Sequence, residues 1–151
     1  MTSVFTTALP IAIGADHAGY EYKDAAKLWL QEKGFAIHDA GTNGPSSVDY
    51  PDFAHAVASA VERGEAACGI LFCGSANGVA ITANKHTAIR AGLAWQNDVA
   101  KLIRMHNDAN IICIPARFVA LPLALEMIQL FLETPFEGGR HANRVNKIAC
   151  S

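Results

Sequence analysis

No stretch of these 151 residues is apolar over the roughly 20 positions that a helix needs to cross a bilayer. Charge is also sparse. Charged residues make up 17% of the chain and the formal net charge is −2, so no broad basic field exists and nucleic acid is not expected as a partner. Only local arginine clusters could hold a small anion. The six histidines (His17, His38, His55, His86, His106 and His141) show no zincin-type spacing and no Cys-x-x-Cys pair occurs, so no metal and no other cofactor is expected. Three phosphate loops are missing as well. A Walker loop is absent; Asp16 stands where a dinucleotide fingerprint needs its second glycine; and Val79 stands where a low-molecular-weight tyrosine phosphatase needs arginine six residues past its cysteine.

What the chain does have is apolar residues, 51% of the total, enough for one domain over residues 1–151 with a real core. The four cysteines are Cys68, Cys73, Cys113 and Cys150, and the first and third sit in apolar, strand-like runs where reduced thiols pack as small hydrophobes. Met1 to Leu9 carries no basic residue and contains polar Thr and Ser, unlike a secretory signal. A cytoplasmic protein with free thiols is the expectation.

Short apolar runs alternate with helix-like segments. Strands are expected over Ile11–Gly14, Phe35–His38, Cys68–Cys73, Ala88–Trp95 and Asn110–Ile114. Between them, Tyr22, Ala26, Trp29 and Leu30 recur at helical spacing before Gly34, and Pro51 opens a helix carrying Phe53, Val57 and Val61 that Gly64 closes. Val99, Leu102 and Ile103 form another apolar stripe, and a long helix runs from Pro122 to Leu132 before Thr134-Pro135. A second short helical pattern lies in the tail. This alternation predicts an α/β fold, a parallel sheet with helices on both faces.

Ligands of such sheets sit beyond the carboxyl ends of the strands, which selects Asp16 and His17, the loop Cys73 to Gly78, and Arg117. The loop Cys73-Gly74-Ser75-Ala76-Asn77-Gly78 can turn its N–H groups toward one point, an anion nest beside a thiol. The same field would lower the Cys73 pKa toward the range of a general base; the competing reading is a packed cysteine beside an ordinary glycine turn. Asp16-His17 could orient a sugar hydroxyl or shuttle a proton, or could be an N-cap beside a solvated imidazole. His106 could be a general acid or could complement the end of a helix. Arg140 and Arg144 are four apart, so a helix would put both on one face as a phosphate clamp beside His141, or as a solvated basic face.

Taken together, several segments resemble the ribose-5-phosphate isomerase B family, which also includes galactose- and allose-6-phosphate isomerases. The matching stretches are Gly14 to Gly19, Gly41-Thr42, Asp49-Tyr50-Pro51, Gly69 to Ser75, Ala83-Asn84-Lys85, Ile89-Arg90-Ala91, His106 to Asn110, and Glu137 to His141 with Arg144 after. The resemblance implies a three-layer α/β/α, Rossmann-like domain with a five-stranded parallel sheet. It also implies a homodimer or tetramer with sites between subunits, so that His106, Asn107 and Arg117 face a neighbour's Cys73 loop.

Roles follow from it residue by residue. Cys73 would be the base that moves a proton between C2 and C1, and Ser75 a hydroxyl aiding that transfer. Asp16, His17 and Tyr50 would bind the sugar, and His106 would assist ring opening. The backbone of Gly74, Ser75, Ala76, Asn77 and Gly78 would hold the enediolate oxygens, and Arg117, Arg140 and Arg144 the phosphate. The expected reaction interconverts ribose 5-phosphate and ribulose 5-phosphate; the alternatives are a six-carbon sugar-phosphate isomerase and a non-catalytic sugar-phosphate sensor. The chain departs from the family pattern at Ala76, where glycine is usual and whose φ should therefore suit a Cβ, and at Trp95 to Asp98. Residues 1–9 have no counterpart in the family.

Overall fold

The computed structural model describes residues 1–149. Five strands, β1 (Ile11–Ala15), β2 (Ile37–Asp39), β3 (Cys68–Cys73), β4 (Ala91–Leu93) and β5 (Ile111–Pro115), form one wholly parallel sheet in the order β2-β1-β3-β5-β4. Six helices connect or follow them: α1 (Tyr20–Glu32), α2 (Tyr50–Glu62), α3 (Asn77–Ala83), α4 (Asn97–Met105), α5 (Leu121–Glu133) and α6 (Arg140–Val145). The expected three-layer α/β/α arrangement is what the chain adopts. The strand expected over Ala88–Trp95 is much shorter. Ahead of it, the Asn84 side chain brackets Ala91 through both its N–H and its C=O, and Arg90 turns back to the carbonyls of Asn107 and Asp108. The expected bounds of β1, β2 and β5 shift by one or two residues.

The β1, β3 and β5 residues are buried, alternating between two cores as strand geometry requires. Ile11, Ile13, Ile70, Phe72, Ile112 and Ile114 pack under α1, α4 and α5 with Leu30, Ile103 and Phe131. On the opposite face, Ala12, Leu71, Ile111 and Cys113 pack under α2 and α3 with Val57 and Val79. Small residues set the spacing there. A Cβ at Gly14 would come within 2.8 Å of Val57 Cγ2, and one at Gly69 within 2.7 Å of Val57 Cγ1, so both glycines let α2 lie close against the sheet.

Two features were invisible in the sequence pattern. Lys23 on α1 is completely buried; its Nζ donates to both carboxylate oxygens of Asp39 (2.8 and 2.9 Å), to Asp24 and to Asn43. The segment before β1 also docks: Val4 N–H donates to the Leu132 carbonyl, Phe5 stacks on Phe131 with centroids 5.4 Å apart, and the Arg104 guanidinium lies 4.7 Å from the Phe5 ring centre. No described helix is long and apolar enough to cross a membrane. Cys68, Cys73 and Cys113 are free, buried thiols; Cys150 lies outside the described residues.

Candidate active site

From β1 the chain proceeds outward to β2 on one side and crosses to β3 on the other, so the order reverses between β1 and β3. A crevice at the carboxyl ends of the strands opens at such a switch point. The two strands meeting there deliver Asp16 and Cys73. Cys73 Sγ donates to Asp16 Oδ2 at 3.1 Å, while Asp16 Oδ1 accepts from the N–H groups of Ala18 (3.0 Å) and Gly19 (3.2 Å). The carboxylate is thus fixed by the start of α1 and presents its free edge to the sulfur. Gly19 is required for this turn to sit on β3, since a Cβ there would be 2.7 Å from the Phe72 carbonyl carbon.

The Cys73 ionisation is not what the sequence suggested. Burial, then the hydrogen bond to Asp16 and its negative charge, push the thiol up from the ordinary 9.0 to about 11; the backbone N–H groups of Ala76 and Gly74 pull the other way. The nest expected to lower the pKa is present, but burial and a neighbouring carboxylate outweigh it.

The remainder of the loop is shaped by close contacts. Ala76 is buried and adopts φ 62°, the left-handed region, as the residue preceding α3. The expectation of a φ comfortable for a Cβ is therefore overturned; an alanine there costs about 1–2 kcal/mol relative to the right-handed conformation. Tyr50, the first residue of α2, lays its ring on Gly78, where a Cβ would lie 2.6 Å from the ring carbons. Ser75 Oγ faces the Asn77 N–H at 3.4 Å. His17 Nδ1 accepts from the Val48 N–H at 3.3 Å, which leaves Nε2–H as the donor of a neutral ring. Next to the loop is a cavity of about 400 Å³ lined by Ser75, Asn77, Leu93, Trp95, Pro115 and Phe118, with Trp95 and Phe118 strongly exposed.

Arg117 also belongs to this cluster. Its N–H donates to the Gly74 carbonyl at 3.2 Å, and its guanidinium runs over Gly74, with Nη1 3.5 Å from where a Cβ would be. The resemblance implies that Arg117 faces a neighbour's loop; within its own chain Arg117 already lies on the Cys73 loop, because β5 pairs directly with β3.

The other expected residues are elsewhere. His106 ends α4 and Asn107 follows it, just before β5 begins, which puts both at the amino edge of the sheet. About five residues of strand, or about 16 Å, separate that edge from Cys73. α6 is tied to the same edge: the Glu137 N–H donates to the Met105 carbonyl, and the His141 ring stacks on His106 with centroids 4.2 Å apart and planes 7° from parallel. Arg140 and Arg144 share this helix at the four-residue spacing expected to put them on one face, and both are exposed. His141 is buried; that burial, with His106 and Arg140 beside it, holds its pKa below the usual imidazole range. A second cavity, of about 600 Å³, opens near this edge and is lined by Lys85, Arg90 and Asn107 among others.

Among the described residues the fold assembles a potential three-ligand metal cluster, unseen in the spacing of the histidines. His106, Glu137 and His141 bring ligand-type atoms within 4.8 Å of one another. Two stacked, nearly parallel rings, however, hold their lone pairs in separate parallel planes rather than converging on one ion, and Arg140 lies beside them. Each chain therefore carries two half-constellations: a thiol, a carboxylate and an anion nest at one edge, and imidazoles with two arginines at the other.

Comparison with known proteins adds to this geometry. The model of the Ribose/Galactose Isomerase family matches residues 11–148. Ribose-5-phosphate isomerase B of Escherichia coli is 41% identical over 138 residues, covering 91% of this chain and 93% of that protein. The crystal structure of a Thermotoga maritima ribose 5-phosphate isomerase superposes with a TM-score of 0.91 at 45% identity, covering 93% of this chain and 97% of the other. The enzyme from Mycoplasma genitalium, solved with bound ribulose 5-phosphate, superposes with a TM-score of 0.90 at 37% identity, covering 95% of each chain.

Proposed function

Since the chain belongs to the ribose/galactose isomerase family and is a sugar-phosphate isomerase, we propose that it interconverts ribose 5-phosphate and ribulose 5-phosphate, with Cys73 as the base. The observation that carries this reading is the placement of a thiol beside an anion nest at the switch point of the sheet. Removing a proton next to a carbonyl needs a base and donors for the developing oxyanion; the Cys73 to Gly78 loop supplies both.

In the proposed sequence the sugar ring opens as a proton passes from the anomeric hydroxyl to the ring oxygen, assisted by His106. The Cys73 thiolate then takes the proton from C2, giving an enediolate whose oxygens accept from the backbone N–H groups of Gly74 to Gly78. The thiol returns a proton to C1, and Ser75 helps move the proton between the two oxygens. Asp16, His17 and Tyr50 hold the sugar, and Arg117, Arg140 and Arg144 the phosphate, whose binding energy positions the reacting carbons.

A thiol at about 11 leaves roughly one thiolate in a thousand at pH 8, a cost of about 4 kcal/mol. Substrate relieves it in this scheme: a sugar hydroxyl donating to Asp16 takes over the acceptor that the thiol uses in the free protein. The Ala76 and Gly74 N–H groups then act on the sulfur with less opposition.

The separation of the two half-constellations supports a site completed by a second copy, His106, Asn107, Arg140 and Arg144 of one subunit facing Cys73 of the other. The exposed Trp95 and Phe118 beside the loop offer apolar surface for that contact. We place the protein in the cytoplasm, in keeping with its reduced thiols. The direct test is turnover of ribose 5-phosphate by Cys73→Ser, expected to fall about 100-fold or more while binding persists. Near-normal turnover would remove Cys73 from the chemistry, and an active wild type that prefers a six-carbon phosphate would redirect the substrate assignment.

A further inference from the structure

Away from the crevice, three side chains form a linear array that the isomerase reaction does not use. His55 and Glu62 lie seven residues apart on α2, and His86 comes from the segment between α3 and β4. His86 Nδ1 sits 2.8 Å from Glu62 Oε2, and His86 Nε2 sits 2.9 Å from His55 Nδ1. Glu62 is fully engaged, its other oxygen accepting from the Ala88 N–H at 3.2 Å.

An ionised carboxylate can only accept. With both imidazoles neutral, His86 therefore donates from Nδ1 to Glu62 and carries its lone pair on Nε2, where it accepts from His55 Nδ1–H. A carboxylate that fixes the tautomer of a histidine and aims its free nitrogen is the arrangement found behind metal-ligating histidines. The two rings are tilted by 54° with centroids 5.1 Å apart, so their nitrogens converge, unlike those of the parallel His106–His141 stack. Metal–nitrogen bonds of about 2.0–2.1 Å would place two ligating nitrogens about 2.9–3.4 Å apart for angles between square and tetrahedral. The observed 2.9 Å matches the short end of that range.

We propose that His55 Nδ1 and His86 Nε2 form a two-imidazole site for a divalent transition ion such as Ni²⁺ or Zn²⁺, with Glu62 as the carboxylate that orients His86. On binding, the proton leaves the N···N line and the ion sits about 1.5 Å to one side of it, both rings turning their lone pairs toward it. His55 moves that proton from Nδ1 to Nε2, so neutral rings release no proton overall, and water completes the coordination. His55 is exposed and the His86 side chain is 16% exposed, which leaves the pair open to an ion from solution. The ion would bridge α2, whose first residue is Tyr50, to the segment following α3, and so clasp two helices that frame the catalytic loop.

The test is calorimetric titration of the full chain with NiCl₂ at neutral pH. One ion per chain is expected to bind, with affinity reduced at least tenfold by His55→Ala or His86→Ala and about 10–100-fold by Glu62→Gln. Binding should persist in His106→Ala and His141→Ala, and turnover should be unchanged in the His55, His86 and Glu62 variants. Undiminished affinity in folded His55→Ala and His86→Ala, loss of binding in the His106 or His141 variants instead, or no wild-type binding tighter than about 1 mM would each overturn the proposal.

Discussion

Replacing Asp16 by Asn should release the Cys73 thiol, and the structure gives the size of the effect. The carboxylate oxygen lies 3.1 Å from the sulfur, where a unit charge would oppose a thiolate by about 5 kcal/mol at an effective dielectric of about 20. The net rise, from 9.0 to about 11, corresponds to about 2.7 kcal/mol. It is smaller because the Ala76 and Gly74 N–H groups favour the thiolate, although burial adds to Asp16 in opposing it. The substitution removes both Asp16 contributions and leaves burial, so Cys73 should ionise about one pH unit lower or more, with about ten times as much thiolate at pH 8. Iodoacetamide labelling measured peptide by peptide reports this at Cys73 alone. A labelling rate at pH 8 that is unchanged or slower in folded Asp16→Asn would refute the argument that Asp16 suppresses the thiolate. Turnover should still fall, because Asp16 is also assigned to the sugar.

Stability should decline in alkali. Cys68 is pushed up to about 12, Cys73 to about 11 and Cys113 further still, each chiefly by burial. Between pH 9.0 and those values the unfolded chain binds fewer protons than the folded one, so stability that is full below pH 9 is lost as pH rises, by about 1.4 kcal/mol per pH unit per thiol. Urea unfolding at pH 8 and pH 10 measures this, and equal midpoints would contradict it. Lys23→Met should destabilise by about 3 kcal/mol, the lower end for a broken buried ion pair, because Lys27 Nζ at 2.8 Å and the Gly41 N–H still satisfy Asp39. A loss below about 1 kcal/mol in urea would show that Lys23 is not integral to the core.

Fold class was legible because apolar strands alternated with amphipathic helices and because glycine and proline marked the boundaries, as Gly34, Pro51 and Gly64 do. β4 was overextended because Ala88 to Arg90 look strand-like, yet the Asn110 side chain bonds both Ala88 and Arg90 and holds this segment out of the strand. Buried Lys23 could not be anticipated, since its partners Asp39 and Asn43 are distant in sequence. The rule that sites lie beyond the strand carboxyl ends selected Asp16, Cys73 and Arg117, which the fold brings together. What the rule could not supply was the balance of forces on the thiol, which depends on a contact between residues 57 positions apart. His106 and Arg140 had recognisable motifs, but only the direction of α4 and the docking of α6 show that they occupy the other edge.

That division makes subunit complementation the most direct measurement. Cys73→Ala and His106→Ala proteins, each expected to be inactive alone, are mixed under conditions where subunit exchange is demonstrated independently. If one copy's His106 faces the other's Cys73, each heterodimer contains one site with both wild-type residues and one with neither. Activity should then return in proportion to the heterodimer formed. Verified exchange between folded mutants without any return of activity would contradict a site built from two chains.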